Sequence, residues 1–100
     1  MFVNVGRFQF RPMPEGEWES LMQGVEREFA PLPREFPGFR GVYLARPSDN
    51  ELMLIWLWEN TAAWQTALAR FGPFLQEHVI PRLAQAPERV GGETFFQVTA

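Results

Sequence analysis

The segment that most constrains the fold is Glu-Leu-Met-Leu-Ile-Trp-Leu-Trp-Glu at residues 51–59, which is apolar between its two glutamates. Successive side chains of a strand point to opposite faces of its sheet. One face of this segment carries Leu52, Leu54, Trp56 and Trp58, and the other carries Met53, Ile55 and Leu57. We therefore expect both faces of this strand to be covered by other parts of the protein.

The remaining patterns predict the order β-α-β-β-α-β in one domain, residues 1–100. The predicted elements are a strand at 2–10, a helix at 15–29, strands at 39–46 and 51–59, a helix from Asn60 or Thr61 to Arg70 that resumes at Pro73, and a strand at 93–99. Gly72 is predicted to end the helix before Pro73, and Gly91 and Gly92 to reset the backbone before the last strand. This order is typical of an α+β, ferredoxin-like split βαβ fold, an antiparallel sheet with both helices on one face.

The doubly apolar strand also predicts a partner. Helices can cover only one face of such a sheet, and Val3, Val5 and Ile55 would lie on the other. An exposed apolar face is an aggregation liability. We therefore predict a homodimer in which the same sheet face of two copies packs together around a two-fold axis.

Composition excludes several classes of enzyme. The chain has no Cys, its nine basic residues are all Arg, and His78 is its one histidine. Thiol catalysis, a lysine Schiff base and the usual transition-metal sites therefore have no residues to build them. Asp49, the one aspartate, lies in an apparent turn, which makes a Ser-His-Asp triad implausible.

Charge and hydropathy bear on partners and location. The formal net charge of −3 gives no electrostatic attraction to nucleic acid or to an anionic membrane. No signal peptide is visible, and no apolar run is long enough to span a bilayer. We expect a cytoplasmic protein.

Residues 37–64, PGFRGVYLARPSDNELMLIWLWENTAAW, resemble the central signature of the antibiotic biosynthesis monooxygenase family: a Pro-Gly turn, a hairpin, and a strand that ends in Trp-Glu before a capped helix. The resemblance implies a dimeric α+β barrel. It also implies a relationship to cofactor-independent oxygenases of aromatic polyketides, to quinol monooxygenases and to haem-degrading enzymes.

A candidate site follows from the chemistry that such an oxygenase needs, namely a base and a dry cavity beside an electron-rich substrate. His78 is the candidate base, predicted to face the sheet from a helix that also carries Phe74. Trp56 and Trp58 would form an aromatic wall. Of Asn4 and Arg7, which lie on opposite strand faces, we favour Asn4 as the donor to developing negative charge, because it shares its face with Gly6. The missing side chain of Gly6 would leave space for substrate.

The haem-degrading branch of the family offers a further alternative. Trp58 and His78 match a Trp and a His of that branch by position, whereas its Asn in the first strand falls at Gly6 here. Haem is thus a secondary candidate for a cofactor, and the main prediction is that none is used.

Structural roles compete with each of these assignments. A lone His on an apolar helix face is more often a core or interface residue that is satisfied by a backbone carbonyl. Trp58 at a strand end could serve packing alone. The sequence therefore leaves open a monooxygenase, a non-catalytic dimeric module that binds a small ligand, and a haem-binding relative.

Overall fold

The strand that is apolar on both faces lies inside an antiparallel sheet. The computed structural model describes the whole chain, Met1–Ala100. Its elements are β1 (Phe2–Gln9), α1 (Glu17–Phe29), α2 (Leu32–Glu35), β2 (Phe39–Ala45), β3 (Glu51–Trp58), α3 (Thr61–Phe74) and β4 (Glu88–Glu93). The strands are ordered β2-β3-β1-β4, and each neighbouring pair is antiparallel. The predicted ferredoxin-like α+β fold is confirmed.

The two inner strands bury alternate residues, as the period of a strand requires. Buried and partly exposed positions alternate along all of β3 and along the first half of β1. Asn4 is the backbone partner of Trp56, and Phe2 is the partner of Trp58. The helices lie over this face, and the main core lies between them and the sheet.

The predicted last strand is wrong in position. β4 is Glu88–Glu93 and includes Gly91 and Gly92, while residues 94–100 form no strand. Gly91 lies where a Cβ would come within 2.8 Å of Phe2 Cζ and 2.9 Å of Asn4 Nδ2. Glycine is therefore required inside this strand because side chains of β1 fill the space beside it. The β-forming residues beyond it have no partner within the chain.

The break predicted at Gly72 is also wrong. α3 continues through Gly72 and Pro73 to Phe74, since Gly72 does not take the left-handed conformation that ends helices. The irregularity comes later, as five π-helical residues, Leu75–Val79, and a 3₁₀ turn, Ile80–Arg82. Pro73 removes one backbone N–H from the ladder, and widened turns are one way in which a helix accommodates such a gap.

The helix cap and the hairpin follow the sequence more closely. Asn60 caps α3, and its side-chain oxygen accepts a 2.8 Å hydrogen bond from the Ala63 N–H. The register of the sheet is regular through Gly6 and shifts only in β2, between Phe39 and Gly41. None of the helices has both the length and the apolar character that crossing a membrane demands.

Candidate functional site

Two separate regions hold the predicted site residues. The first is an aromatic cluster between sheet and helices, formed by Phe29, Trp56, Trp58, Trp64 and Phe71. The Trp56 ring stacks on Phe71 with centroids 5.0 Å apart and on Trp58 with centroids 6.0 Å apart. The predicted aromatic wall of Trp56 and Trp58 is therefore present, and its rings are packed against one another.

Trp58 is the most unusual member of this cluster. Its side chain has 0% exposure, and its indole Nε1–H is buried without any hydrogen-bond partner. Phe36, Phe39 and Trp64 surround it, and none of these side chains offers an oxygen. Buried donors are almost always paired, so this N–H is an unfilled hydrogen-bonding position in an apolar surrounding.

Asn4 lies on the same sheet face and is the one polar residue among the buried ones. Arg7 points to the other face, where it donates a 2.8 Å hydrogen bond to Glu51. That hydrogen bond and the charge of Glu51 raise the pKa of Arg7. Of the two candidate donors, Asn4 is thus the one that faces the helices.

The space expected over Gly6 is not open. A Cβ on Gly6 would lie 3.0 Å from Cε2 of Phe8, because the Phe8 ring folds back over this position. Arg89, the neighbour of Gly6 on β4, lies with its guanidinium 5.7 Å from the centre of the same ring. Partial burial there lowers the pKa of Arg89. Gly6 therefore makes room for the protein's own side chain.

An apolar groove of about 520 Å³ opens beside the cluster, between the C-terminal half of α1 and the outer strand β2. Its apolar lining includes Val25, Phe29, Phe39, Val42 and Leu44. Phe29 contacts Trp56 with centroids 4.7 Å apart, and Phe39 contacts Trp58 with centroids 5.2 Å apart. Two phenyl rings thus separate the groove from the two tryptophans.

The second region is a polar cleft of about 220 Å³ between α1 and the end of the α3 helical segment. Its lining residues are Glu17, Ser20, Leu21, Gly24, Arg27, Phe74, His78 and Arg82. The His78 ring lies against Phe74 with centroids 4.9 Å apart. Its side chain is 47% exposed.

The prediction that His78 faces the sheet is wrong. Leu75 and Val79 are the buried residues of the π-helical segment, and His78 lies on its outer side. The widened backbone turns of this segment change which positions point inward, so a stripe drawn at the α-helical period misplaces His78. The structure therefore brings His78 together with Phe74, and brings Asn4, Gly6, Trp56 and Trp58 together on the sheet face.

Sequence reasoning missed both openings of the molecule. The groove is lined by apolar residues of α1 and β2, and the sequence pattern identifies these residues only as core positions. The cleft depends on Gly24, a glycine in the middle of a helix where it costs about 1 kcal/mol relative to Ala. That unfavourable choice is the one signal in the sequence that pointed to close packing or a cavity at this place.

Metal binding has no support in the side-chain arrangement. No group of three or more His, Cys, Asp or Glu side chains is placed to hold a metal ion. This agrees with the separation of the one histidine from most of the acidic residues.

Comparison with known proteins identifies the fold, through solved structures alone. No protein-family model matches the sequence, and no curated protein does either. Among solved structures, SnoaB from Streptomyces nogalater, a cofactor-independent oxygenase, matches with a TM-score of 0.70 and 25% identity, covering 99% of this chain and 97% of that one. The monooxygenase of the ActVA-Orf6 gene of Streptomyces coelicolor, in complex with nanaomycin D, matches with a TM-score of 0.73 and 18% identity, covering 99% and 91%.

Structures assigned to the antibiotic biosynthesis monooxygenases also match over nearly the whole chain. The chain therefore has the fold of this family, and the resemblance carried by residues 37–64 is confirmed. What each relative binds or catalyses is a property of that relative.

Haem can be tested against the geometry. A mutant of MhuD with two manganese protoporphyrin IX molecules bound per active site matches with a TM-score of 0.66 and 22% identity, covering 100% of both chains. In this chain His78 lines a cleft of about 220 Å³ that is bordered by the Glu17–Arg82 ion pair. Pockets for drug-sized ligands begin at about 300 Å³, and a porphyrin is larger. The residues around His78 therefore do not fit haem.

Proposed function

We propose that this chain is a cofactor-independent monooxygenase of a small aromatic substrate, such as a quinol or a polyketide-like compound. The observation that carries the proposal is the buried, unpartnered Nε1–H of Trp58 within the aromatic cluster. An unsatisfied buried donor costs about 1–3 kcal/mol. A bound ligand that supplies a carbonyl or phenolic oxygen removes that cost, and its flat ring suits the aromatic surroundings.

The likeness to SnoaB supports the same class of reaction, since that protein is a cofactor-independent oxygenase with 25% identity to this chain. In such a reaction the substrate supplies every electron. With an anthrone-type substrate, a ring CH₂ group reacts with O₂ to give a ring C=O and water, so that one oxygen atom enters the product and the other leaves with both hydrogens. The carbon is oxidised by four electrons and O₂ is reduced by four.

The apolar groove is the proposed route to Trp58. Its volume of about 520 Å³ lies within the range of small-molecule pockets. Phe29 and Phe39 stand between the groove and the tryptophans, so a substrate would have to displace one of these rings to reach Trp58. A substrate that entered there would lie among buried aromatic rings, with the indole N–H of Trp58 and the side-chain amide of Asn4 as donors on the same sheet face.

His78 remains the proposed base, because it is the one histidine of the protein and histidine is the commonest general base. The buried residues include no ionisable group that could serve instead. Since His78 lies in the polar cleft and not beside Trp58, it can act as the base only if the substrate extends until its reacting carbon lies within hydrogen-bond distance of the imidazole. The base and the binding position are therefore tested by separate variants.

Trp58→Phe tests the proposal, because it keeps an aromatic ring and removes the N–H. Oxygen consumption is measured with anthrones and hydroquinones. Loss of one hydrogen bond is expected to lower kcat/KM about tenfold. Trp64→Phe is the matched control, since Trp64 contacts Trp58 but its indole N–H is not among the buried donors that lack a hydrogen-bond partner. Equal losses in the two variants, or no oxygen consumption by the unaltered protein with any of these substrates, contradict the proposal.

The second candidate is a non-catalytic dimeric module that binds a small ligand outside the aromatic cluster, and the mutual packing of the five rings is what this candidate predicts. Ring centroids of 4.7–6.2 Å connect all members of the cluster, so the interior as it stands has no open space. Ligand binding that quenches tryptophan fluorescence without oxygen consumption would decide for this candidate.

We further propose that two copies pair through the outer face of the sheet. Val3, Val5, Ile55 and Leu57 remain partly exposed on this face, and Tyr43 is 64% exposed beside them. The tail after β4 adds Phe95 with 100% exposure, together with Phe96 and Val98. Burying such a surface is the usual contribution of a second copy.

Ile55→Glu tests this pairing, because it places a charge in the centre of the proposed contact. Sedimentation equilibrium is expected to give a dimer for the unaltered chain and a monomer for the variant. Val90→Glu, at an edge position, is a second variant that leaves the inner strands unchanged. A monomeric unaltered chain, or a dimer that withstands both changes, contradicts the proposal.

A further inference from the structure

The polar cleft has a shape that side-chain placement on α1 explains. Glu17, Ser20, Gly24 and Arg27 follow one another at three- and four-residue steps and so share one helix face. Gly24 is buried and has no side chain, which leaves a depression between the two polar ends of this row. A Cβ on Gly24 would lie 3.4 Å from Phe74 Cζ and 3.8 Å from Nη2 of Arg27.

The charges around this depression are unequal. Arg82 is fully engaged, since it donates to Glu17 over 2.9 Å and to the His78 carbonyl over 2.6 Å. Arg27 forms no ion pair, although the chain has twelve acidic residues. The cleft is lined by Arg27, Arg82 and one carboxylate, that of Glu17, and the carboxylate of Glu77 lies just outside the lining, 4.0 Å from Nε2 of His78. Because Glu17 is paired with Arg82, Arg27 is the arginine of the lining that has no carboxylate partner.

We propose that this cleft binds a small oxyanion, a carboxylate or a phosphate, with the guanidinium of Arg27 as its main partner. A guanidinium presents parallel N–H donors that match the two oxygens of such a group. The Ser20 hydroxyl and the His78 ring border the same space and add further donors. The Phe74 ring offers an apolar surface against which the remainder of an aromatic carboxylate would pack.

The cleft is large enough for a small ligand. A volume of about 220 Å³ admits a phosphate, or a carboxylate on a single ring. The cleft is thus distinct from the aromatic cluster in both charge and size. This inference shares His78 with the proposed oxygenase, in which His78 is the proposed base, but its test measures binding and not turnover.

The one histidine makes the test specific. His78 gives the only imidazole proton signals in an NMR spectrum, so their shift on titration reports the cleft directly. The probes are sodium benzoate and inorganic phosphate, each added at constant pH and ionic strength. Saturable shifts are expected with a Kd on the order of a millimolar, as for one or two charge-assisted hydrogen bonds.

Three variants identify the partners. Arg27→Gln is expected to weaken binding about tenfold. Arg27→Lys is expected to weaken it less, because lysine keeps the positive charge but lacks the two parallel N–H donors of a guanidinium. Arg34→Gln is the matched control, since Arg34 is also an exposed arginine without an ion pair but lies in α2. Phe74→Leu is expected to weaken benzoate and leave phosphate unaffected.

The outcomes are distinct. Binding of benzoate alone identifies a carboxylate ligand, and binding of phosphate alone identifies a phosphate ligand. Shifts that do not saturate, or affinities that are the same in Arg27→Gln and in the unaltered protein, overturn the proposal. Oxygen consumption is not part of this readout, so failure here leaves the assignment of Trp58 to its own test.

Discussion

The aromatic cluster and the polar cleft lie in the same small domain and differ in almost every physical respect. The cluster is dry, holds stacked rings and contains one unpaired donor, Nε1 of Trp58. The cleft is open to water, holds arginines and a glutamate, and is crossed by an ion pair at one end. The predicted site residues therefore do not form one site, since Asn4, Trp56 and Trp58 lie on the buried sheet face and His78 lies in the cleft.

The difference has an origin in the secondary structure. The cluster is built on β3 and α3, where regular backbone fixes which residues face inward. The cleft is built where α3 gives way to π-helical and 3₁₀ turns. Irregular helical turns of this kind are frequent at functional sites, and here they carry His78 to the surface.

The largest expected effect is on stability. Trp56→Ala removes a buried ring that contacts Phe29, Trp58, Trp64 and Phe71, and it should lower the free energy of unfolding by about 3–5 kcal/mol. Phe74→Ala removes a half-buried ring from the cleft and should cost about 1 kcal/mol. Urea unfolding followed by circular dichroism measures both. Similar losses in the two variants would show that the cluster is not the more tightly packed region.

The next effect is catalytic. If His78 is the base, His78→Ala should lower kcat by roughly 100-fold or more. The same variant should change the free energy of unfolding by no more than about 0.5 kcal/mol, because the side chain is half exposed and makes one ring contact. Oxygen consumption and urea unfolding are measured on the same preparation. Unchanged turnover would remove His78 from the chemistry and leave the cleft with binding alone.

Much of the fold could be predicted because it depends on strand period and chain order. Leu52 to Trp58 alternate as expected, and the bounds of β2 and β3 differ from the predicted ones by a single residue. Asn60 was recognisable as a cap because of its type and its place before an apolar helix. The likeness of residues 37–64 to a known family rests on the same regular part of the chain.

The errors have physical causes that a single sequence conceals. Gly91 and Gly92 look like a turn, yet both lie in β4, where a side chain at Gly91 would collide with Phe2 and Asn4. Phe95 and Phe96 look like a strand, yet they have no partner within one copy of the chain. His78 was misplaced because the helical period widens after Pro73. For Gly91 a tertiary neighbour decides, and for His78 the irregular backbone decides, what residue preferences alone cannot.

The smallest expected effect separates folding from binding at a single position, Gly24. Gly24→Ala should stabilise α1 by about 0.5–1 kcal/mol, because alanine is the better helix former and its Cβ would meet Phe74 at an ordinary contact distance of 3.4 Å. The same methyl group would occupy the depression beside Arg27 and weaken benzoate binding. The free energy of unfolding and the His78 NMR titration are measured together. A variant that is more stable and binds as tightly as the unaltered protein would show that the missing side chain serves only the packing of Phe74, and not the space between Arg27 and His78.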